Sequence, residues 1–133
     1  MKNSPTRVSQ DGERVWNIRD RAFEFAVRVV KLCKLFEERA EVSKSLIWQL
    51  IRSGTSVGAN LEEAQAGQTK PDFVAKNSIS LKEARESNFW LRLILASYEL
   101  EPADEVEAKE LRDESREISL VIGAIIAKSL GKR

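Results

Sequence analysis

The chain has 133 residues, a length that suits one domain with a core large enough to need no disulfide or metal staple. Its 22 basic and 21 acidic residues leave a formal net charge of +1, so no global basic footprint announces a nucleic-acid partner. Histidine is absent and Cys33 is the single cysteine, which removes an intramolecular disulfide, a cysteine zinc cluster and the Ser-His or Cys-His catalytic pairs.

Residues 1–14 are polar, contain Pro5 and Gly12 and show no apolar period, which predicts a disordered N-terminal tail. Nothing there resembles a signal peptide, and no apolar run approaches the roughly 20 residues of a membrane span. A cytoplasmic protein with no membrane partner is expected. Residues 15–133 are then one helical domain. Over about 15–39, Ile18, Ala22, Phe25, Val29, Leu32 and Phe36 recur at helical spacing, and Phe23, Ala26, Val30 and Cys33 widen the stripe. Cys33 sits in VRVVKLCKLF, where a small buried hydrophobe is expected rather than a reactive thiol.

Ser43 is placed to cap a second helix over about 44–66. Thr69 can cap a third over about 71–99, with Pro71 in its first turn. Pro102 and Asp104 punctuate the chain before a fourth helix over about 104–130. Strand signals are not read: β-branched residues do not alternate, and no Asn-Gly or Asp-Gly joins two strand patterns. Four long helices with short links predict an all-α, antiparallel up-down-up-down four-helix bundle.

The stretch RSGTSVGANLEEAQAG, residues 52–67, tests whether a phosphate loop interrupts this pattern. Such a loop needs Lys-Ser or Lys-Thr after its second glycine, whereas Ala59-Asn60 follows Gly58 here. As a helix, the stretch places Ile47, Ile51, Gly54, Gly58, Leu61 and Gln65 at spacings of four and three, a packing seam. Interior glycines each cost about 1 kcal/mol relative to alanine, which implies a closely approaching neighbour. On the third helix Ser80, Ala84 and Ser87 form the small middle of a similar seam, so close contact of the second and third helices is expected at Gly54–Gly58 and Ser80–Ser87.

Opposite that seam, Arg52, Ser56, Asn60 and Glu63 share a sector of roughly 80°. They form either a solvated face or a tight polar contact with another helix or subunit. The third helix adds Lys82, Glu83 and Glu86, with Lys82 and Glu86 spaced for an ion pair, followed by the apolar run FWLRLIL. One core cannot cover a whole circumference, so Trp90, Leu93, Val121 and Ile125 are expected to offer surplus apolar surface for homo-oligomerisation. Arg28, Lys31, Lys34, Lys128, Lys132 and Arg133 are candidate contacts for RNA or DNA, with an ordinary solvated face as the alternative. Di-iron bundles need Glu-x-x-His, so no metal, cofactor or catalytic residue is expected.

"SVGANLEEA" (Ser56 to Ala64), then Phe73 and "SLKEARESNFWLRL" (Ser80 to Leu93), resemble the four-helix bundle protein family whose members include proteins encoded by intervening sequences in bacterial 23S ribosomal RNA genes. The resemblance spans roughly residues 16–130 and implies a ring-like homopentamer of up-down-up-down bundles. More distantly it reaches the accessory proteins of diversity-generating retroelements, basic pentamers that bind nucleic acid and a reverse transcriptase. The near-neutral charge here departs from that branch, and Glu62-Glu63 stands where many members have Ala-Glu. The resulting expectation is a non-enzymatic oligomer associated with nucleic acid, or else a protein–protein scaffold that binds none.

Overall fold

A computed structural model describes residues 7–8, 14–15, 17–67 and 69–131. Four helices carry the fold: α1 (Ile18–Glu38), α2 (Lys44–Gln65), α3 (Lys70–Ser97) and α4 (Pro102–Ser129). Each packs on the next and α4 closes back on α1, while among the described residues the backbones of the diagonal pairs α1/α3 and α2/α4 stay apart. The helices therefore stand at the corners of a square and alternate in direction, as short links require. Their bounds lie within about three residues of those predicted.

Local chemistry sets where each helix starts. Asn17 caps α1 by accepting from the Arg19 N–H at 2.7 Å, so the helix begins at Ile18 rather than near 15. Ser43 and Thr69 cap α2 and α3 as expected, accepting from Leu46 N and Asp72 N. Pro102 occupies the first turn of α4 instead of preceding it, because its missing N–H costs nothing there. α1 ends in a tight reversal in which Glu41 N donates to Phe36 O at 3.0 Å and Ala40 takes φ 53°, a left-handed conformation usually given to glycine.

Most of the expected N-terminal tail lies outside the described residues. What is described corrects the reading that no strand exists: β1 (Arg7–Val8) pairs antiparallel with β2 (Arg14–Val15), Arg7 opposite Val15. Asp11-Gly12, the dipeptide type favoured in hairpin turns, lies between them in the sequence and was the available signal.

The core holds Phe25, Leu32 and Phe36 of α1, Leu50 and Val57 of α2, Leu91 and Ile94 of α3, and Leu111, Ile118 and Ile122 of α4. Each such side chain contributes roughly 1.5–3 kcal/mol on full burial. Cys33 belongs to this cluster, its thiol directed at Ile47 O. The α3 contribution is unusually polar, with Asn77, Ser80 and Ser87 all buried. Each is satisfied: Asn77 donates to Phe73 O, Ser80 to Val57 O at 2.7 Å, and Ser87 to Glu83 O, with the Ser87 and Ser53 hydroxyls 3.0 Å apart.

Those bonds correct the expected seam. Ser80, Ala84 and Ser87 do form the buried face of α3, but α2 meets it through Ser53 and Val57. Gly54 and Gly58 turn toward α1 instead. A Cβ on Gly54 would stand 3.0 Å from Val29 Cγ1, and one on Gly58 would stand 3.6 Å from Ala22. Adjacent residues on a helix lie 100° apart, enough to shift a contact from one neighbour to the next.

Candidate functional site

A square bundle offers four outer walls, and their chemistry differs. The α1/α2 wall is apolar along its middle. Phe23 and Val30 project from α1, Trp48 and Ile51 from α2, and both Phe23 and Trp48 are 60 % exposed. Charged residues close both ends: Arg19 and Glu62 at one, Glu37 and Lys44 at the other. A shallow cleft of about 280 Å³ opens beside Trp48, lined by Glu37, Lys44, Ile47, Trp48 and Ile51. Phe23 and Val30, read from the sequence as widening the core stripe, are exposed on this wall instead, and their seven-residue spacing was the signal that could have singled it out.

The α2/α3 wall gathers the polar cluster. Arg52 reaches across to Glu86 and to Glu83 at 3.3 Å, and Glu86 also accepts the Trp90 indole N–H at 3.0 Å. Ser56 donates to Arg52 O at 2.7 Å, Asn60 to Ser56 O at 2.8 Å, and Glu63 pairs with Lys76 at 2.9 Å. Of the two readings open from the sequence, Arg52 follows the contact with another helix of the same chain. Glu86 is engaged by Arg52 and Trp90, and among the described residues no ion pair joins it to exposed Lys82.

Along the α4/α1 wall, arginines of α1 meet carboxylates of α4. Arg28 forms a two-pronged pair with Glu107, both bonds 2.8 Å, and a third bond to Glu110 at 2.7 Å. Arg21 grips Glu114 in the same way at 2.6 and 3.0 Å. These hydrogen bonds raise both guanidinium pKa values against the opposing effect of burial. Arg28 is therefore withdrawn from the expected nucleic-acid contacts. Lys31, Lys34 and Lys128 are exposed, while Lys132 and Arg133 lie outside the described residues.

The α3/α4 wall carries cations that, apart from Lys82, the sequence analysis did not single out. Lys82, Arg85 and Arg92 of α3 and Lys109, Arg112 and Arg116 of α4 lie there, all but Arg112 exposed. Asn88 fixes the register by donating to Arg112 O at 2.9 Å. Phe89, 46 % exposed, carries the Arg92 guanidinium 5.7 Å from its ring centroid. The spacing of Arg85 and Arg92, and of Lys109, Arg112 and Arg116, was legible as helical faces but not as one shared wall.

The nominated surplus apolar residues are only partly open in the single chain. Trp90, Leu93, Val121 and Ile125 are all half-buried. Trp90 packs on the core, and Val121 and Ile125 line a cleft of about 390 Å³ at the bundle end with Ile18, Leu61, Phe73 and Asn77. Among the described residues, the exposed rings are Phe23, Trp48 and Phe89.

At the opposite end, Arg39 pairs with buried Asp104 at 2.6 Å and Glu41 accepts from Glu101 N at 2.6 Å. Burial raises the Glu41 carboxyl pKa, the Glu101 N–H opposes this, and neighbouring Asp104 adds to the rise. Burial likewise pushes the Cys33 thiol up to about 12.

Four helices, each packed on its neighbours around one core, define an all-α four-helix bundle. The model of the 23S rRNA-intervening sequence protein family matches residues 14–124, and the chain belongs to that family. It is similar to a solved protein of unknown function from the S23 ribosomal protein family of Bacteroides thetaiotaomicron, at 37 % identity and a TM-score of 0.72. That likeness covers 83 % of this chain and 98 % of the other. No curated protein matches the chain. Among the described residues, no helix is long and apolar enough to cross a membrane.

Proposed function

We propose that this protein is a non-catalytic, self-associating helical bundle that works in the cytoplasm in association with nucleic acid. The observation that carries self-association is the α1/α2 wall, where Phe23 and Trp48 are each 60 % exposed between charged ends. Burying each ring against another copy would contribute roughly 1.5–3 kcal/mol, and the charged ends would fix the register. A pentamer is the assembly implied by the family resemblance. The non-catalytic reading is supported by the absence of histidine and by the burial of the only thiol.

Repetition of Lys31, Lys34 and Lys128 around a ring would concentrate positive charge that a single copy lacks. The scaffold alternative, with a protein partner such as a reverse transcriptase and no nucleic acid, draws on Arg28 being held by Glu107 and Glu110. Sedimentation equilibrium at micromolar concentration tests the assembly. Phe23→Glu with Trp48→Glu is expected to lower the mass while leaving helical circular dichroism unchanged. Trp90→Glu is expected to lower helix content as well, since that ring touches the core. A wild-type monomer at that concentration would overturn the self-association reading.

A further inference from the structure

We infer that the α3/α4 wall is the surface on which this protein takes a single strand of nucleic acid, with arginines on the phosphates and Phe89 under an unpaired base. The inference rests on the nucleic-acid reading above and moves its contacts from α1 and the C-terminus to a different wall. Asn88 sets the geometry: its bond to Arg112 O places those residues at one level of an antiparallel pair. One turn along, Arg85 on α3 comes level with Arg116 on α4. One turn the other way, Arg92 comes level with Lys109. Lys82 extends the band, which runs about 15 Å along α3 from Lys82 to Arg92 at 1.5 Å per residue.

Charge on this wall is unbalanced in a chain that is otherwise near neutral. Glu105 and Asp113 lie at its edges, and each is already paired, with Lys109 at 3.1 Å and Arg112 at 3.0 Å. Among the described residues, no carboxylate lies within ion-pairing distance of Lys82, Arg85 or Arg116. This contrasts with α1, where Arg21 and Arg28 are consumed by α4 carboxylates. Four of the six cations are arginines, whose planar fork matches phosphate oxygens in pairs. Phe89 stands among them, its ring crossed by Arg92 and braced edge-on by Trp90 at 5.1 Å between centroids. A cationic track with a fixed exposed ring is the composition that holds unpaired bases regardless of sequence.

Fluorescence anisotropy with labelled 20-mers tests this, using oligo-U RNA, oligo-dT and a DNA duplex between 50 and 200 mM salt. Wild type is expected to prefer the single strands. Arg85→Gln with Arg116→Gln is expected to weaken binding at least tenfold at the lower salt. It should also reduce the salt slope by about 1.4, at about 0.7 per lost phosphate contact on a single strand. Phe89→Ala is expected to cost about tenfold on single strands and less on the duplex. Lys31→Gln with Lys34→Gln should cost less than the Arg85/Arg116 pair, on single strands and duplex alike. If wild type binds none of the probes, the nucleic-acid reading and this inference fall together. If binding is present but lost in the α1 pair and kept in the Arg85/Arg116 pair, only the α3/α4 assignment is overturned. A fall in oligomer mass for the Arg85/Arg116 pair, with probe binding per subunit unchanged, would make the wall a subunit contact and overturn it too.

Discussion

Gly54 and Gly58 lie one turn apart on one face of α2, yet alanine should act on them with opposite sign. In a helix interior, alanine is favoured over glycine by about 1 kcal/mol. At Gly58 the new methyl would meet Ala22 at 3.6 Å, an ordinary van der Waals distance. Gly58→Ala should therefore stabilise by about 1 kcal/mol, raising Tm by about 4 °C. At Gly54 the same methyl would stand 3.0, 3.2 and 3.3 Å from three carbons of Val29, itself fully buried. Relief requires moving a β-branched side chain or the α1 backbone, and overpacking of this kind costs about 1–3 kcal/mol. Subtracting the propensity gain leaves Gly54→Ala destabilising by about 1 kcal/mol. Chemical denaturation of both variants measures the difference. A cycle with Val29→Ala should show favourable coupling of about 1 kcal/mol or more between the two alanines, because shortening Val29 makes the room that the Gly54 methyl needs. Equal stabilisation at both glycines, with no coupling to Val29, would refute the close approach of α1 and α2.

Ala40→Gly should stabilise by about 0.5–1 kcal/mol, because the residue holds φ 53° in the left-handed region; thermal melts measure it. Ser80→Ala should cost about 1 kcal/mol, since Val57 O loses the 2.7 Å bond that joins α3 to α2. Cys33, buried with its thiol pushed up to about 12, should resist a disulfide reagent at pH 8 in the native protein and react promptly in denaturant. Glu41 has a raised folded-state pKa, so the folded protein holds that proton more tightly than the unfolded chain. Its stabilising contribution is present below the ordinary glutamate range and is lost as pH rises through the raised value. Glu41→Gln keeps an acceptor for Glu101 N and should remove that fall, read as flatter denaturation midpoints from pH 4 upward.

The helices were legible because apolar period and caps are local: Ser43, Thr69 and Pro71 mark their ends within a few residues of the pattern they serve. Neighbours were less legible. A seam on α2 says that Gly54 and Gly58 share a face with the core, but not that α1 lies on their side and α3 on the side of Ser53. The fate of Arg28 depends on Glu107 and Glu110, about eighty residues away, and nothing near Arg28 shows whether its charge is spent. Trp90 was expected to offer open surface and is half-buried, whereas Trp48, not singled out from the sequence, is exposed, for the same reason. Apolar stretches around both run past one stripe, and only the square arrangement decides which ring is covered.

Arg21 and Arg28 give the molecule a clasp made of charge between its first helix and its last. The clasp joins the first helix to the last across 93 residues of chain between Arg21 and Glu114, over a groove of about 450 Å³ floored by Phe25. Joining points so distant in sequence comes late in folding, when intervening segments have already zipped. Added electrolyte weakens such a fastening more than it weakens buried hydrocarbon. In concentrated salt this edge should part first, and backbone amides along the first helix should exchange with deuterium before those of the second and third.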